Sequence, residues 1–141
     1  MSQSTESAAA ELVTYAARLT RAVRRAADPN GEVPAALIRL LSILDELGPS
    51  TVTALAQADR TSQPTTTSAV NALVERGWAA KHAHPGDARS ALVTMTDAGL
   101  AELTNARRHH GQLLAARLGP FSPDDVTRAT ALIKHLLENP A

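Results

Sequence analysis

The stretch Asp87-Ala88-Arg89-Ser90-Ala91-Leu92-Val93-Thr94-Met95-Thr96-Asp97-Ala98-Gly99 decides the fold, because its character changes within a few residues. Ser90 to Met95 is short enough for a strand. Thr96 then stands where a helix begins, its hydroxyl suited to cap free N–H groups, with Asp97 near the positive end of the helix dipole. Upstream, Trp78 to Ala83 is a second short run, and Pro85-Gly86-Asp87-Ala88 between the two is rich in turn formers. The pattern predicts a β-hairpin with Arg89 at its tip.

On the N-terminal side of this hairpin, a short helix carrying Val52, Leu55 and Ala56 is expected to reach Ala58, capped by Ser50 or Thr51. Asp59-Arg60-Thr61 makes a turn. Ser62 caps the next helix, Pro64 is tolerated in its first turn, and Ala69, Val70, Leu73 and Val74 form its buried face until Gly77. Two short helices joined by a tight turn are a helix-turn-helix. Earlier still, Leu12, Tyr15, Ala16, Leu19, Val23 and Ala26 recur at three- and four-residue steps, predicting an amphipathic helix from about Ala8 to Ala27. Asp28-Pro29-Asn30-Gly31 stops it. A core helix follows Pro34, with Leu37, Leu40, Leu41, Leu44 and Leu47 on one face. Beyond the hairpin, a helix with Leu100, Leu103, Leu114 and Leu118 runs from Asp97 to about Leu118. The last helix follows Ser122-Pro123 and carries Val126, Ala129, Leu132, Ile133, Leu136 and Leu137. The first few residues and Asn139-Pro140-Ala141 read as loose ends.

Composition narrows the class further. The 141 residues suit one domain, and a chain of this size gains from oligomerisation. With Tyr15, Trp78 and Phe121 as the aromatics, the core must be aliphatic, which favours helices. The absence of cysteine removes disulfide scaffolds, thiolate zinc sites and thiol redox sensing, and a reducing cytoplasm is the simplest location. No apolar run approaches the ~20 residues that cross a bilayer, and no secretory leader is legible, so no membrane partner is expected. Formal net charge is zero, which argues mildly against nucleic acid, since phosphate neutralisation drives such binding. The distribution softens that objection. Between Thr51 and Thr96 the cations Arg60, Arg76, Lys81 and Arg89 face Asp59, Glu75 and Asp87, while Glu102, Asp124, Asp125 and Glu138 lie outside.

The order helix, helix, helix-turn-helix, hairpin, long helix, helix places a recognition helix directly before a wing. At this point the run from Asp87 to Gly99 resembles the wing signature of the multiple-antibiotic-resistance regulator (MarR) family, in which D-x-R precedes a strand ending L-T-x-x-G. Met95 stands where the family usually has Leu. Ser62-Gln63-Pro64-Thr65 and Leu73-Val74-Glu75-Arg76-Gly77-Trp78 also resemble that family's recognition helix and its exit. The resemblance covers nearly the whole chain. It implies a mainly α winged helix-turn-helix fold with a small β-hairpin wing and N- and C-terminal dimerisation helices. Residues 1–34 would hold the first dimerisation helix and connector, 35–96 the DNA-binding region and 97–141 the C-terminal dimerisation helices, in one compact domain. The implied function is a homodimeric regulator of a palindromic operator in double-stranded DNA, more often a repressor, released by a small phenolic or lipophilic effector.

Candidate DNA contacts follow from side-chain chemistry. A guanidinium on a hairpin tip, Arg89, can enter a narrow minor groove, with Asp87 holding it or a neighbouring arginine through a charge-assisted hydrogen bond. Ser62, Gln63, Thr65, Thr66, Thr67, Ser68 and Asn71 are the polar residues of the recognition helix, short enough to reach phosphates and base edges. Gln63 can pair with adenine, and threonine methyls can touch thymine. Family members often carry arginines near positions 63 and 68, so this neutral helix lowers the phosphate-driven affinity expected. Arg60, Lys81 and His84 are candidate phosphate contacts, weighed against being solvated charges. Arg76 is expected to make an internal ion pair instead.

Arg18, Arg21 and Arg25 share one side of the first helix and read as a solvated or dimer-rim face rather than a DNA stripe. Leu12, Leu19, Leu114, Leu118, Leu132 and Leu136 read as dimer core. A ligand pocket is expected near Tyr15, Leu19, Leu41 and His110. His109, His110 and His135 read as surface or interface histidines rather than zinc ligands, because adjacent histidines diverge on a helix. No metal or cofactor is implied. No nucleophile elbow, phosphate-cradling loop or metalloprotease motif occurs, so no enzyme is expected. The alternative is a winged-helix protein-interaction module that does not read DNA.

Overall fold

In a computed structural model of the chain, residues 3–139 are described, the side chains of Gln3 and Ala88 excepted. Six helices and three strands follow in the order α1 (Gln3–Ala27), α2 (Ala35–Leu47), β1 (Ser50–Thr51), α3 (Val52–Asp59), α4 (Gln63–Glu75), β2 (Ala79–His84), β3 (Asp87–Met95), α5 (Asp97–Ala115) and α6 (Pro123–Glu138). Of the expected loose ends, Met1, Ser2, Pro140 and Ala141 lie outside the described residues. Gln3 to Ser7, in contrast, are already helical.

One aliphatic core joins the middle of the chain. Leu37, Leu40, Leu41 and Leu44 of α2 meet Leu55 of α3, Val70 and Leu73 of α4, Val93 of β3 and Leu103 of α5, all nearly sealed from solvent. Full burial of each such side chain is worth about 1.5–3 kcal/mol, so these residues bind the helix-turn-helix to its flanking helices. The terminal helices stand apart from that core. Val23 is the one described residue of α1 that is buried, and α6 buries none.

The sheet holds more than the expected hairpin. Ser50 and Thr51 pair antiparallel with Val93 and Leu92, so the strand order is β1-β3-β2. Two residues between a Gly-Pro turn and a helix carry no periodic signal, and only the tertiary pairing reveals them. Ser50 is buried there, its Oγ donating to the Gly48 carbonyl at 2.8 Å. The hairpin pairs in register from Ala79↔Met95 to Ala83↔Ala91, then jumps to His84↔Asp87. The turn is therefore Pro85-Gly86 alone. Asp87 and Ala88, expected in the turn, belong to β3, and Ala88-Arg89-Ser90 form a bulge.

Each end of the helix-turn-helix is fixed by a local device. Thr51 caps α3 by accepting from the Ala54 N–H, and Ser62 caps α4 by accepting from the Thr65 N–H. Arg60 takes a left-handed conformation at φ 52°, the one described non-glycine residue with positive φ. That conformation reverses the chain between α3 and α4. The long helix α5 ends at Ala115, short of the expected Leu118. Arg117 and Leu118 donate three residues back, to Leu114 and Ala115, tightening the turn before left-handed Gly119.

Candidate nucleic-acid interface

The outward face of α4 is set by its helical period. Thr66, Val70 and Leu73 point inward, which leaves Gln63, Thr65, Ser68 and Asn71 exposed, with Thr67 half-buried. Ser62 is also exposed, and its hydroxyl donates to Thr65 Oγ1 at 2.8 Å. Gln63 Nε2 donates to Thr53 Oγ1 on α3, tying the two helices together and steering the Gln63 amide. Thr53 was not legible as a partner of the site.

Thr66 departs from the expected role. It is only 2% exposed, and its Oγ1 shares a 2.7 Å hydrogen bond with Thr61 Oγ1. Its hydroxyl serves the turn before α4 and does not reach a ligand. Thr61 Oγ1 also lies 3.4 Å from Asp59 Oδ2 as donor, and Asp59 in turn receives Arg39 from α2, Nε at 2.5 Å and Nη2 at 3.2 Å. The Asp59 carboxylate, by this hydrogen bond and its charge, raises the Arg39 pKa above its ordinary value, against the effect of burial. The tie from Arg39 was not anticipated, because twenty residues separate the partners. It removes Asp59 as a free anion near the recognition helix.

Lys81 on β2 donates from Nζ to Asn71 Oδ1 at 2.6 Å, so strand and recognition helix present one cation and one amide together. His84 Nδ1 accepts from the Gly86 N–H at 2.9 Å, which places the imidazole proton of its neutral form on Nε2 and makes the ring part of the turn. Arg89 and Arg60 are both exposed. Asp87 does not hold the Arg89 guanidinium. Its Oδ1 accepts from the Arg89 backbone N–H at 2.9 Å and its Oδ2 from Ser90 Oγ at 3.4 Å, so it shapes the bulge and leaves the side chain to solvent. Among the described residues Arg76 makes no ion pair either. Its guanidinium lies over the Trp78 ring, 5.1 Å from the centroid, and donates to the Glu32 main-chain oxygen at 3.3 Å.

Residues 34–91 match the sequence pattern of the MarR family. A helix-turn-helix-type transcriptional regulator of Mycobacterium bovis is 30% identical over 125 residues, 87% of each chain. The chain belongs to the MarR family. Its fold also matches that of wild-type MarR from E. coli in the apo form, at 21% identity, with a TM-score of 0.74 and coverage of 91% of this chain and 96% of that one. BpsR of Bordetella bronchiseptica, whose DNA binding is regulated by 6-hydroxynicotinic acid, is similar at 21% identity, with a TM-score of 0.66 and coverage of 93% and 94%. The protein is thus a DNA-binding transcriptional regulator, not an enzyme. No helix among the described residues is long and apolar enough to cross a membrane.

The glycine of the MarR wing signature has a physical reason here. A Cβ on Gly99 would lie 2.1 Å from the Trp78 carbonyl oxygen, so only glycine lets α5 start against the entry of the hairpin. Thr96 completes the clasp. Its Oγ1 donates to the Gly77 carbonyl at 2.6 Å and accepts from the Gly99 N–H at 3.1 Å. The wing is therefore anchored at its base to the end of α4.

Two clefts lie among α1, α2 and α5. The smaller, about 310 Å³, is lined by Leu19, Val23, Ile38, Leu103, His110 and Leu114 among others. It brings together Leu19 and His110 of the expected ligand pocket. Tyr15 lines neither cleft and instead lies beneath the Arg18 guanidinium, 5.2 Å from the ring centroid. Leu41 is fully buried in the core and is corrected to a packing residue, because its face of α2 looks toward α4 and α5. Burial lowers the His110 pKa from its ordinary value, with Arg24 and His109 adding to the effect. Of the residues assigned to a dimer core, Leu12, Leu19, Leu132 and Leu136 are exposed, whereas Leu114 and Leu118 are half-buried.

Proposed function

We propose that the protein is a homodimeric, sequence-specific repressor of a palindromic operator, acting in the cytoplasm and released by a small phenolic or lipophilic effector. The observation that carries this reading is the pairing of Lys81 with Asn71, which sets a cation of the wing beside the polar outward face of α4, with Arg89 exposed further along the same hairpin. In a dimer, two such helices meet half-sites about one helical turn apart. Residues 35–96 would contact DNA, while 1–34 and 97–141 would join the two subunits. Exposed leucines on α1 and α6 support that division. The smaller cleft, with five aliphatic side chains around His110, suits an apolar effector, and regulation of BpsR by an aromatic acid supports such control.

A second reading, a protein-interaction module, is favoured by a specific observation. The recognition helix Gln63–Glu75 contains no Lys or Arg. Gel-shift measurements on genomic fragments, including the promoter of the protein's own gene, separate the two. Sequence-selective binding that weakens steeply with salt is expected for a repressor. Absence of binding even at low salt would favour the module.

A further inference from the structure

The recognition helix carries no cation, since Gln63–Glu75 holds neither Lys nor Arg. A neutral helix discriminates bases by hydrogen bonds and methyl contacts, so the atoms that its amides present decide what it reads. Gln63 stands at the start of α4, after the Ser62 cap and before Pro64, whose ring narrows the backbone freedom of the residue ahead of it. Its side chain is exposed, and among the described residues that side chain makes one hydrogen bond, from Nε2 to Thr53 Oγ1. Thr53 belongs to the neighbouring helix α3, itself fixed by the Thr51 cap and by buried Leu55. A long, flexible amide is thus held by a short, β-branched side chain on a packed element.

We propose that Thr53 is a positioning residue for sequence recognition: by taking one N–H of Gln63, it makes that amide select adenine and reject guanine in the major groove. A glutamine amide has one acceptor oxygen and two N–H donors. With one donor spent on Thr53, Oε1 and the second N–H remain, and adenine presents their complements, the N6 donor and the N7 acceptor. Guanine presents two acceptors, N7 and O6, and a bidentate contact with it would call for both N–H groups at once. The anchored amide can satisfy only one of them, and its Oε1 then faces an acceptor. A side chain ordered before binding also spares the cost of ordering it at the interface. Discrimination built partly on a mismatch against the wrong base suits a helix that draws little from phosphate attraction. This role rests on the reading of α4 as the recognition helix, and it adds a residue outside that helix, acting on the base through Gln63.

Selection from a random-sequence duplex pool, run with the wild type, Q63A, T53V and T53S at one salt concentration, tests the role. The base pair whose preference disappears in Q63A is the one that Gln63 reads. Adenine is expected there in the wild type, with guanine disfavoured about tenfold. T53V keeps the shape of Thr53 without its oxygen, and should cut that adenine-over-guanine ratio about fivefold at this pair alone. T53S, which keeps the hydroxyl, should retain the ratio. An unchanged ratio in T53V, a loss spread evenly over all positions, guanine at the Q63A-sensitive pair in the wild type, or no such pair at all overturns the proposal. The anchor is read without DNA from nitrogen relaxation of the Gln63 side-chain amide, expected to be ordered in the wild type and T53S and mobile in T53V. Equal mobility in the wild type and T53V overturns the anchor. A wild type that selects no sequence while its amide is ordered ends the operator reading, and the base preference with it. Clear selection with an unmoved ratio strikes the role of Thr53 alone.

Discussion

Arg89 and Gly99, ten residues apart, serve the wing in opposite ways, one by reaching out and the other by being absent as a side chain. Arg89 is free of Asp87, so it needs no rearrangement to enter a groove. R89A is expected to weaken operator binding by about 1–3 kcal/mol and to relax selectivity at the base pairs beneath the wing. Unchanged affinity in a quantitative gel shift would remove it from the site. At Gly99 the added methyl must displace main chain, and G99A should lower unfolding stability by about 1–3 kcal/mol, measurable by urea denaturation. His110 carries a pH dependence of defined sign. Its folded-state pKa is depressed, so below about pH 6.5 the unfolded chain takes up a proton that the folded chain refuses. Stability from this group is complete above that pH and declines as the pH falls toward the folded-state value. H110N should flatten this part of the profile, and an identical profile would assign the dependence elsewhere.

At the scale of elements, the recognition helix is held at its start and along its flank. The start depends on the chain Arg39, Asp59, Thr61, Thr66, in which a buried threonine takes the place of an apolar packing residue. T66V leaves the Thr61 hydroxyl without its inner partner and should destabilise the fold by about 1 kcal/mol, seen as a lower urea midpoint. The flank depends on the Lys81–Asn71 bond. Because Lys81 would meet phosphate rather than bases, K81A should reduce affinity for all sequences alike and lower the salt slope by about 1. A change in sequence preference instead would place Lys81 at a base edge.

For the whole molecule, the distribution of burial is the main constraint. The core spans α2 to α5, whereas α6 buries nothing and exposes Leu132, Ile133, Leu136 and Leu137, and α1 exposes Leu12, Val13 and Leu19. Apolar area of this kind on two terminal helices is worth about 25 cal/mol per Å² once covered, and a second copy of the chain covers it in the proposed dimer. L132E/L136E should shift the sedimentation coefficient to that of a monomer and remove the dependence of thermal stability on protein concentration. A wild type that sediments as a monomer would end the half-site geometry.

Periodicity, caps and turn residues determined the order of helices and the hairpin, because these are local properties of Leu spacing, of Ser62 and Thr96 as caps and of Pro85-Gly86 as turn. The run from Asp87 to Gly99 also carried the family. Bonds between distant residues were decided only by the tertiary structure. Arg39 pairs with Asp59 across twenty positions, Ser50 and Thr51 join the sheet through Val93 and Leu92, and Gly99 is required by a carbonyl on Trp78. The polar residues of α4 looked equivalent in sequence, and packing separated buried Thr66 from exposed Thr65 and Ser68. Arg89 was legible as a wing residue, but its freedom was not, since whether Asp87 takes the guanidinium or the backbone N–H depends on a bulge that only the strand register creates.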